Sequence, residues 1–295
     1  MASARVSAFA KVNLALRVLA REASGYHQLE TLFCRIDLAD DVVVRIGDGA
    51  TRSLDCRGAD TGPVEQNLAW RAAAAYATRD GWPRGFAIEI AKNIPVGGGL
   101  GGGSADAGGV LRALNALNPR PLAEDELLTL ALTLGADVPF LTTAAPLAFA
   151  WGRGERMLSL PPLPERDVAL VLPPFGIATA EAYAWLVEAR ARAPALHGAT
   201  AHPLAAVTTW GGVARLSAND FEPPVFERRP ELRQIHERLA AVPGVALARM
   251  SGSGSTLFAL FEHEAELRLV AQATGCKALA ARTLATVPLV GVDLD

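Results

Sequence analysis

Between residues 95 and 109 the chain reads Pro95-Val96-Gly97-Gly98-Gly99-Leu100-Gly101-Gly102-Gly103-Ser104-Ala105-Asp106-Ala107-Gly108-Gly109, and no other stretch limits the fold so sharply. Inside a regular element each glycine costs roughly 0.5–1 kcal/mol relative to alanine, so this density is expected where backbone must come close to a ligand. Ser104 stands where an N-cap should stand, and Val110, Leu111, Leu114 and Leu117 follow at helical spacing. The pattern predicts a helix whose unpaired amides and positive dipole end lie behind a loop without side chains, the arrangement that holds a phosphate.

Two other phosphate loops fit the sequence less well. A Walker A loop ends in Gly-Lys-Ser/Thr, whereas Gly103-Ser104 has no lysine between. Gly97-x-Gly99-x-x-Gly102 fits a dinucleotide fingerprint, but the strand Phe86 to Ile90 ends well before it and Pro95 intervenes. Downstream, a second helix around Leu122 to Leu134 follows where a parallel strand with an acidic residue should come. A plain glycine linker does not lead into an amphipathic helix.

From Arg5 to Val18 the residues alternate: Val6, Ala8, Ala10, Val12, Leu14, Leu16 and Val18 face one way, and Ser7, Phe9, Lys11, Asn13 and Arg17 the other. This predicts a strand with one buried face, Lys11 and Asn13 about 7 Å apart on the other. Of the 28 basic residues only Lys11, Lys92 and Lys277 are lysine, so a chain rich in arginine uses a compact ammonium at few places. A solvated strand lysine fits Lys11 equally well. Strands are also expected at Leu29 to Phe33, Val42 to Ile46, Phe86 to Ile90 and Val168 to Leu172. Asn67 reads as the N-cap of a helix from Leu68 to Ala77. Asp137, before Val138-Pro139, reads as a turn or cap. Val245 to Met250, Ser251-Gly252-Ser253-Gly254-Ser255 and Thr256 to Phe261 read as strand, glycine turn and strand. Residues 190 to 215 show no clean period.

At 295 residues the chain suits two domains sharing a cleft, and the glycines and prolines between Trp151 and Pro164 put the boundary there, giving 1–160 and 161–295. A net charge of −3 gives no general attraction to nucleic acid or anionic membrane, so phosphate binding must come from local groups. Lys11, Asn13 and Arg17 interrupt the apolar start, so no export signal is read and a cytoplasmic location is expected. Cys34, Cys56 and Cys276 are odd in number and far apart, which fits a reducing compartment. The most apolar helix candidate, Leu127 to Leu134, is too short to span a bilayer. Nothing in the sequence bears on oligomeric state.

The string Pro-x-Gly-Gly-Gly-Leu-Gly-Gly-Gly-Ser-Ala at Pro95 to Ala105 resembles the ATP loop of the GHMP kinases. The doubled glycine triplet resembles in particular the branch whose acceptor is a cytidine diphosphate-linked methylerythritol of the non-mevalonate isoprenoid route. The resemblance implies an α+β fold of two domains, the first ribosomal-protein-like and the second ferredoxin-like. It also implies ATP, Mg²⁺ and phosphorylation of the acceptor's tertiary 2-hydroxyl. Ala10-Lys11-Val12-Asn13 matches the segment supplying a catalytic lysine and an acceptor-site asparagine, and Gly135 to Phe140 the segment of the catalytic aspartate, here Asp137. Gly25-Tyr26-His27 matches the triplet that holds cytosine by stacking and ring-edge hydrogen bonds, and Thr179 with Tyr183 the spacing of a second aromatic. Asn67 falls near the adenine by the same resemblance. No glutamate is recognisable as a magnesium ligand, which leaves Ser104. The glycine turn after Met250 is expected to back onto the ATP loop. Another small-molecule kinase of the superfamily would leave the aromatics idle, and a non-catalytic nucleotide sensor would lack Lys11 and Asp137.

Overall fold

The computed structural model describes residues 2–22, 27–47, 49–192 and 206–294. In chain order the elements are β1 (Ala2–Arg21), β2 (His27–Gly47), β3 (Arg52–Arg57), α1 (Leu68–Asp80), β4 (Gly85–Ala91), α2 (Gly102–Leu117), α3 (Glu124–Leu132), α4 (Val138–Thr142), β5 (Leu147–Gly152) and β6 (Arg156–Leu160). Then come β7 (Asp167–Leu172), α5 (Thr179–Arg192), α6 (Trp210–Leu216), α7 (Glu222–Arg228), α8 (Pro230–Ala240), β8 (Val245–Met250), β9 (Leu257–Phe261), α9 (Leu267–Thr274), β10 (Lys277–Arg282) and β11 (Gly291–Leu294).

Two sheets organise these elements, as the α+β expectation requires. The larger runs β11-β1-β2-β4-β3, with β5 and β6 also attached through β2, and the smaller runs β10-β7-β9-β8. Pairing therefore changes sheets between β6 and β7. The segment expected as a second unit, 161–295, joins the second sheet only in part, because β11 returns to pair antiparallel with β1.

The two strands expected at Leu29 to Phe33 and Val42 to Ile46 are one strand, β2. No glycine or proline separates them, and β1 lies along the whole length of β2. On its other side β2 pairs first with β5 and then with β4.

The alternating strand is β1, with register shifts at Phe9/Lys11, Asn13/Ala15 and Val18/Arg21. Bulges re-aim side chains. Val6 to Leu14 join the core that holds α1 and α2, whereas Leu16 and Val18 join a second core with α5, α7, α8 and the small sheet. Leu16 also exchanges backbone hydrogen bonds with the segment before α7, its N–H to Ala218 and its carbonyl to the Asp220 N–H. One strand thus borders both cores, and the face expected to be open is the seam between them. Among the described residues no helix is long and apolar enough to cross a membrane.

Candidate active site

A cleft of about 620 Å³ runs along that seam. Its walls include Lys11, Asn13, Asn67, Pro95 to Ser104, Asp137, Thr179 and Tyr183, residues from five separate stretches of sequence.

The glycine loop is pinned by its single leucine. Leu100 is buried in the first core, and its carbonyl accepts from the Lys11 amide at 3.0 Å. The Gly99 carbonyl accepts from Lys11 Nζ and from Ser251 Oγ, both at 2.9 Å, and the Gly98 carbonyl from the Thr256 amide at 3.3 Å. The turn between β8 and β9 therefore backs onto the loop. Its approach also explains part of the glycine excess: a Cβ on Gly99 would lie 2.2 Å from the Ser251 carbonyl oxygen. Gly108 is required by another contact, since its Cβ would lie 2.5 Å from the Leu141 carbonyl oxygen in α4. Closeness to protein, not only to a ligand, selects glycine here.

Helix α2 begins three residues earlier than expected. Its N-cap is Gly101, in the left-handed region at φ 74°, not Ser104. Ser104 instead occupies the first turn and lines the cleft. Ala105 is a second correction. Its N–H bonds the Gly101 carbonyl at 2.8 Å and its side chain is buried in the core, so it offers the cleft nothing.

Lys11 is buried, contrary to a solvated strand lysine. Its Nζ donates to Asn13 Oδ1 at 2.7 Å, stands 3.3 Å from an Asp137 carboxylate oxygen, and lies over the Phe33 ring. Asn13 Nδ2 in turn donates to Thr31 Oγ1, which donates to the Ala15 carbonyl, so both ends of the amide are fixed. Asp137 sits at the N-cap of α4 without a side-chain cap bond, which leaves its carboxylate to the cleft and Lys11. Asn67 does cap α1, accepting from the Ala69 amide at 2.9 Å while it lines the cleft.

At the other end, Tyr183 stacks on His27 with centroids 5.1 Å apart and meets Phe221 edge-on. Burial, then the Asp137 charge, raises the Tyr183 hydroxyl pKa, so it remains neutral. Thr179 Oγ1 lies 3.0 Å from Ser253 Oγ. His27 meets this group through Tyr183's ring. Tyr26 lies outside the described residues.

Sequence reasoning passed over a buried ionic group behind the loop. Lys92 Nζ donates to Asp40 and Asp106 carboxylates, and Asp40 also accepts from the Asn93 and Ile94 amides. Burial pulls the Lys92 ammonium down, but the two carboxylates outweigh this and its pKa is raised. The Asp106 carboxyl is pushed up to about 7, first by burial and then by Asp40, against the opposing Lys92 charge. Its Oδ1 has no hydrogen-bond partner, so nothing at that oxygen offsets the loss of water around a carboxylate charge. Lysine scarcity, which drew attention to Lys11, applies equally to Lys92.

The GHMP kinases N terminal domain matches residues 67–145, and the GHMP kinases C terminal domain matches residues 202–280. A 4-diphosphocytidyl-2-C-methyl-D-erythritol kinase of Geobacter metallireducens is 39% identical over 274 residues, covering 92% of this chain and 94% of the relative. A kinase of the same name from Citrifermentans bemidjiense is 38% identical over 281 residues, covering 93% and 97%. This chain belongs to the 4-diphosphocytidyl-2-C-methyl-D-erythritol kinase family of GHMP kinases. A solved 4-(cytidine 5'-diphospho)-2C-methyl-D-erythritol kinase superposes with a TM-score of 0.75 at 37% identity, covering 95% of this chain and 98% of that one. A homoserine kinase from Cytophaga hutchinsonii shares the fold at a TM-score of 0.64 and 17% identity. The family's two-domain architecture therefore holds here, and Lys11, Asp137 and the glycine loop occupy the cleft between the two cores.

Proposed function

We propose that this chain transfers the γ-phosphoryl group of ATP to the tertiary 2-hydroxyl of 4-diphosphocytidyl-2-C-methyl-D-erythritol. The observation that carries the reading is the Lys11–Asp137 pair in a cleft walled by the glycine loop. Membership of a family whose relatives bear that substrate's name supports the acceptor.

In this reading the amides from Gly97 to Ser104, at the positive end of α2, hold the β- and γ-phosphates. The acceptor oxygen forms a bond to the γ-phosphorus while the bond to the β,γ-bridging oxygen breaks, and ADP leaves with that oxygen. Asp137 takes the hydroxyl proton, a contribution of about 10²–10⁴-fold. Lys11, fixed by Asn13 and the Gly99 carbonyl, orients Asp137 and balances charge on the phosphoryl oxygens. Asn13, its amide locked by Lys11 and Thr31, contacts the acceptor. Tyr26, His27, Thr179 and Tyr183 bind the cytosine end, and Asn67 stands near the adenine.

Magnesium carried with ATP draws most of its ligands from phosphate oxygens and water, so it needs few from protein. The Ser104 hydroxyl, a hard oxygen donor on the cleft wall, fits that demand. When bound, the ion neutralises β- and γ-phosphate charge.

The test is ADP release against a panel of hydroxyl acceptors with and without a cytidine diphosphate group. Turnover with the cytidylyl acceptor far above that with homoserine or mevalonate is expected. Equal turnover across the panel, or none with the cytidylyl acceptor, refutes the reading.

A further inference from the structure

Among the described residues Arg35 is the largest fully buried side chain, 1% exposed, and it faces Lys11 directly across the β1–β2 ladder. Burying a guanidinium is costly unless its donors are satisfied. Here Nη2 donates to the carbonyls of Phe140 at 2.7 Å and Thr143 at 2.8 Å, and Nε to that of Ala145 at 3.0 Å. The group also lies 5.0 Å from the centroid of the Phe140 ring. Burial, with a smaller push from Arg112, draws its pKa down to about 9, which leaves it charged at neutral pH.

All three carbonyls belong to the last residues of α4 or the turn after it. A helix of five residues cannot hold itself, since nucleation consumes what its few hydrogen bonds return. Its neighbours hold it: α4 packs against α2, where Gly108 meets the Leu141 carbonyl, and from β2 Phe33 stacks on Phe140 with centroids 4.9 Å apart while Arg35, two residues on, grips the carbonyl end. Asp137 is the residue before α4, and its carbonyl accepts from the Leu141 amide, so the aspartate moves with the helix. Lys11 is set by the same strand pair, from β1.

We propose that Arg35 is a positioning residue of the phosphoryl-transfer site: by clamping the carbonyl end of α4 onto β2, it fixes where Asp137 stands relative to Lys11. The inference rests on Asp137 taking the acceptor proton. Arg35 touches neither nucleotide nor acceptor in this account, so its loss should act on kcat and spare KM.

The experiment places Arg35→Lys and Arg35→Met in the parent and in Asp137→Asn, measuring kcat, KM for both substrates and thermal midpoint. Lysine keeps the charge but loses the three-point grip. In the parent background kcat should fall about 10-fold or more, with each KM within about twofold, because small misplacements of reacting groups are expensive. In Asp137→Asn the same replacement should change kcat by less than about twofold, because the group it positions has already lost its function. An equal loss in both backgrounds, or an unchanged kcat in the parent, overturns the proposal. If Asp137→Asn alone leaves kcat within a few fold of the parent, the role of Asp137 falls and this inference falls with it. Should Arg35→Met not fold, Arg35→Lys carries the same comparison.

Discussion

The Lys11 ammonium lies 3.3 Å from the Asp137 carboxylate, and the two are unequally exposed, at 3% and 31%. The lysine is enclosed by Asn13, the Gly99 carbonyl and the Phe33 ring, while the aspartate keeps a side open to the cleft. An ammonium held by that many neighbours is a fixed charge against which the aspartate and a ligand can be placed.

Replacement of single loop glycines should separate structural from ligand-facing roles. Gly99→Ala strains a residue at φ 77° and drives a methyl into the Ser251 carbonyl, so the loop must leave the β8–β9 turn. Gly103→Ala meets only the Leu68 side chain at 3.7 Å, an ordinary contact within a helix, and should leave stability unchanged or raise it by up to about 1 kcal/mol. Calorimetric ATP titration beside thermal unfolding reads both effects. Gly99→Ala that binds ATP as the parent does would contradict this placement of the loop.

Gly101→Val would press on Lys11 as well as on the loop. A Cβ there meets the Lys11 stem at 3.1 to 3.2 Å and Leu141 at 3.3 Å, at a residue with φ 74°. The variant should therefore lower kcat through Lys11 as well as weaken ATP binding. Weaker binding with an unchanged kcat would show that Lys11 does not feel the intrusion.

The Asp106 carboxyl predicts a pH dependence. Its folded pKa, about 7, is above the ordinary carboxyl value, so the folded state holds the extra proton. Stability from this group is complete below the unfolded value and is lost as pH rises through about 7. Asp106→Asn keeps the shape and removes the titration, so the fall in stability between pH 5 and pH 8 should narrow by about 2 kcal/mol. Denaturant unfolding at both pH values measures it, and parallel profiles for parent and variant would refute it.

Tyr183→Ala removes the ring that stacks on His27 and meets Phe221. The KM for the cytidylyl acceptor should rise by an amount equivalent to about 1–3 kcal/mol, with little change for ATP. Equal losses for both substrates would make Tyr183 a support for the second core.

Much of this was readable from residues alone. The glycine loop, the alternation of β1 and the strand-turn-strand at β8 and β9 depend on local chemistry, and local chemistry is what a sequence displays. The two-sided burial of β1 was not readable, because the second core that covers Leu16 and Val18 comes from residues far along the chain. Ser104 is not the N-cap for a local reason: the helix start follows from the Gly101 backbone, which a serine three residues later does not reveal. Thr31, Phe33 and Arg35 alternate along β2 and support the site from one face, a period that was visible but had no partner until β1 was laid beside it. Arg35 looks in sequence like any surface charge, and Lys92 is set apart only by the scarcity of lysine. Their burial depends on carbonyls and carboxylates gathered by the fold.

The central claim is that Lys11 and Asp137 act on one transferred phosphoryl group, and a double-mutant cycle in kcat tests it most directly. Asp137→Asn keeps the shape and removes the charge, and should lower kcat at least about 10²-fold with little change in ATP affinity. Lys11→Ala should do comparable damage. If the two work as a unit, the double variant loses far less than the product of the single losses. Full additivity, or single-variant rates within a few fold of the parent, would contradict the account.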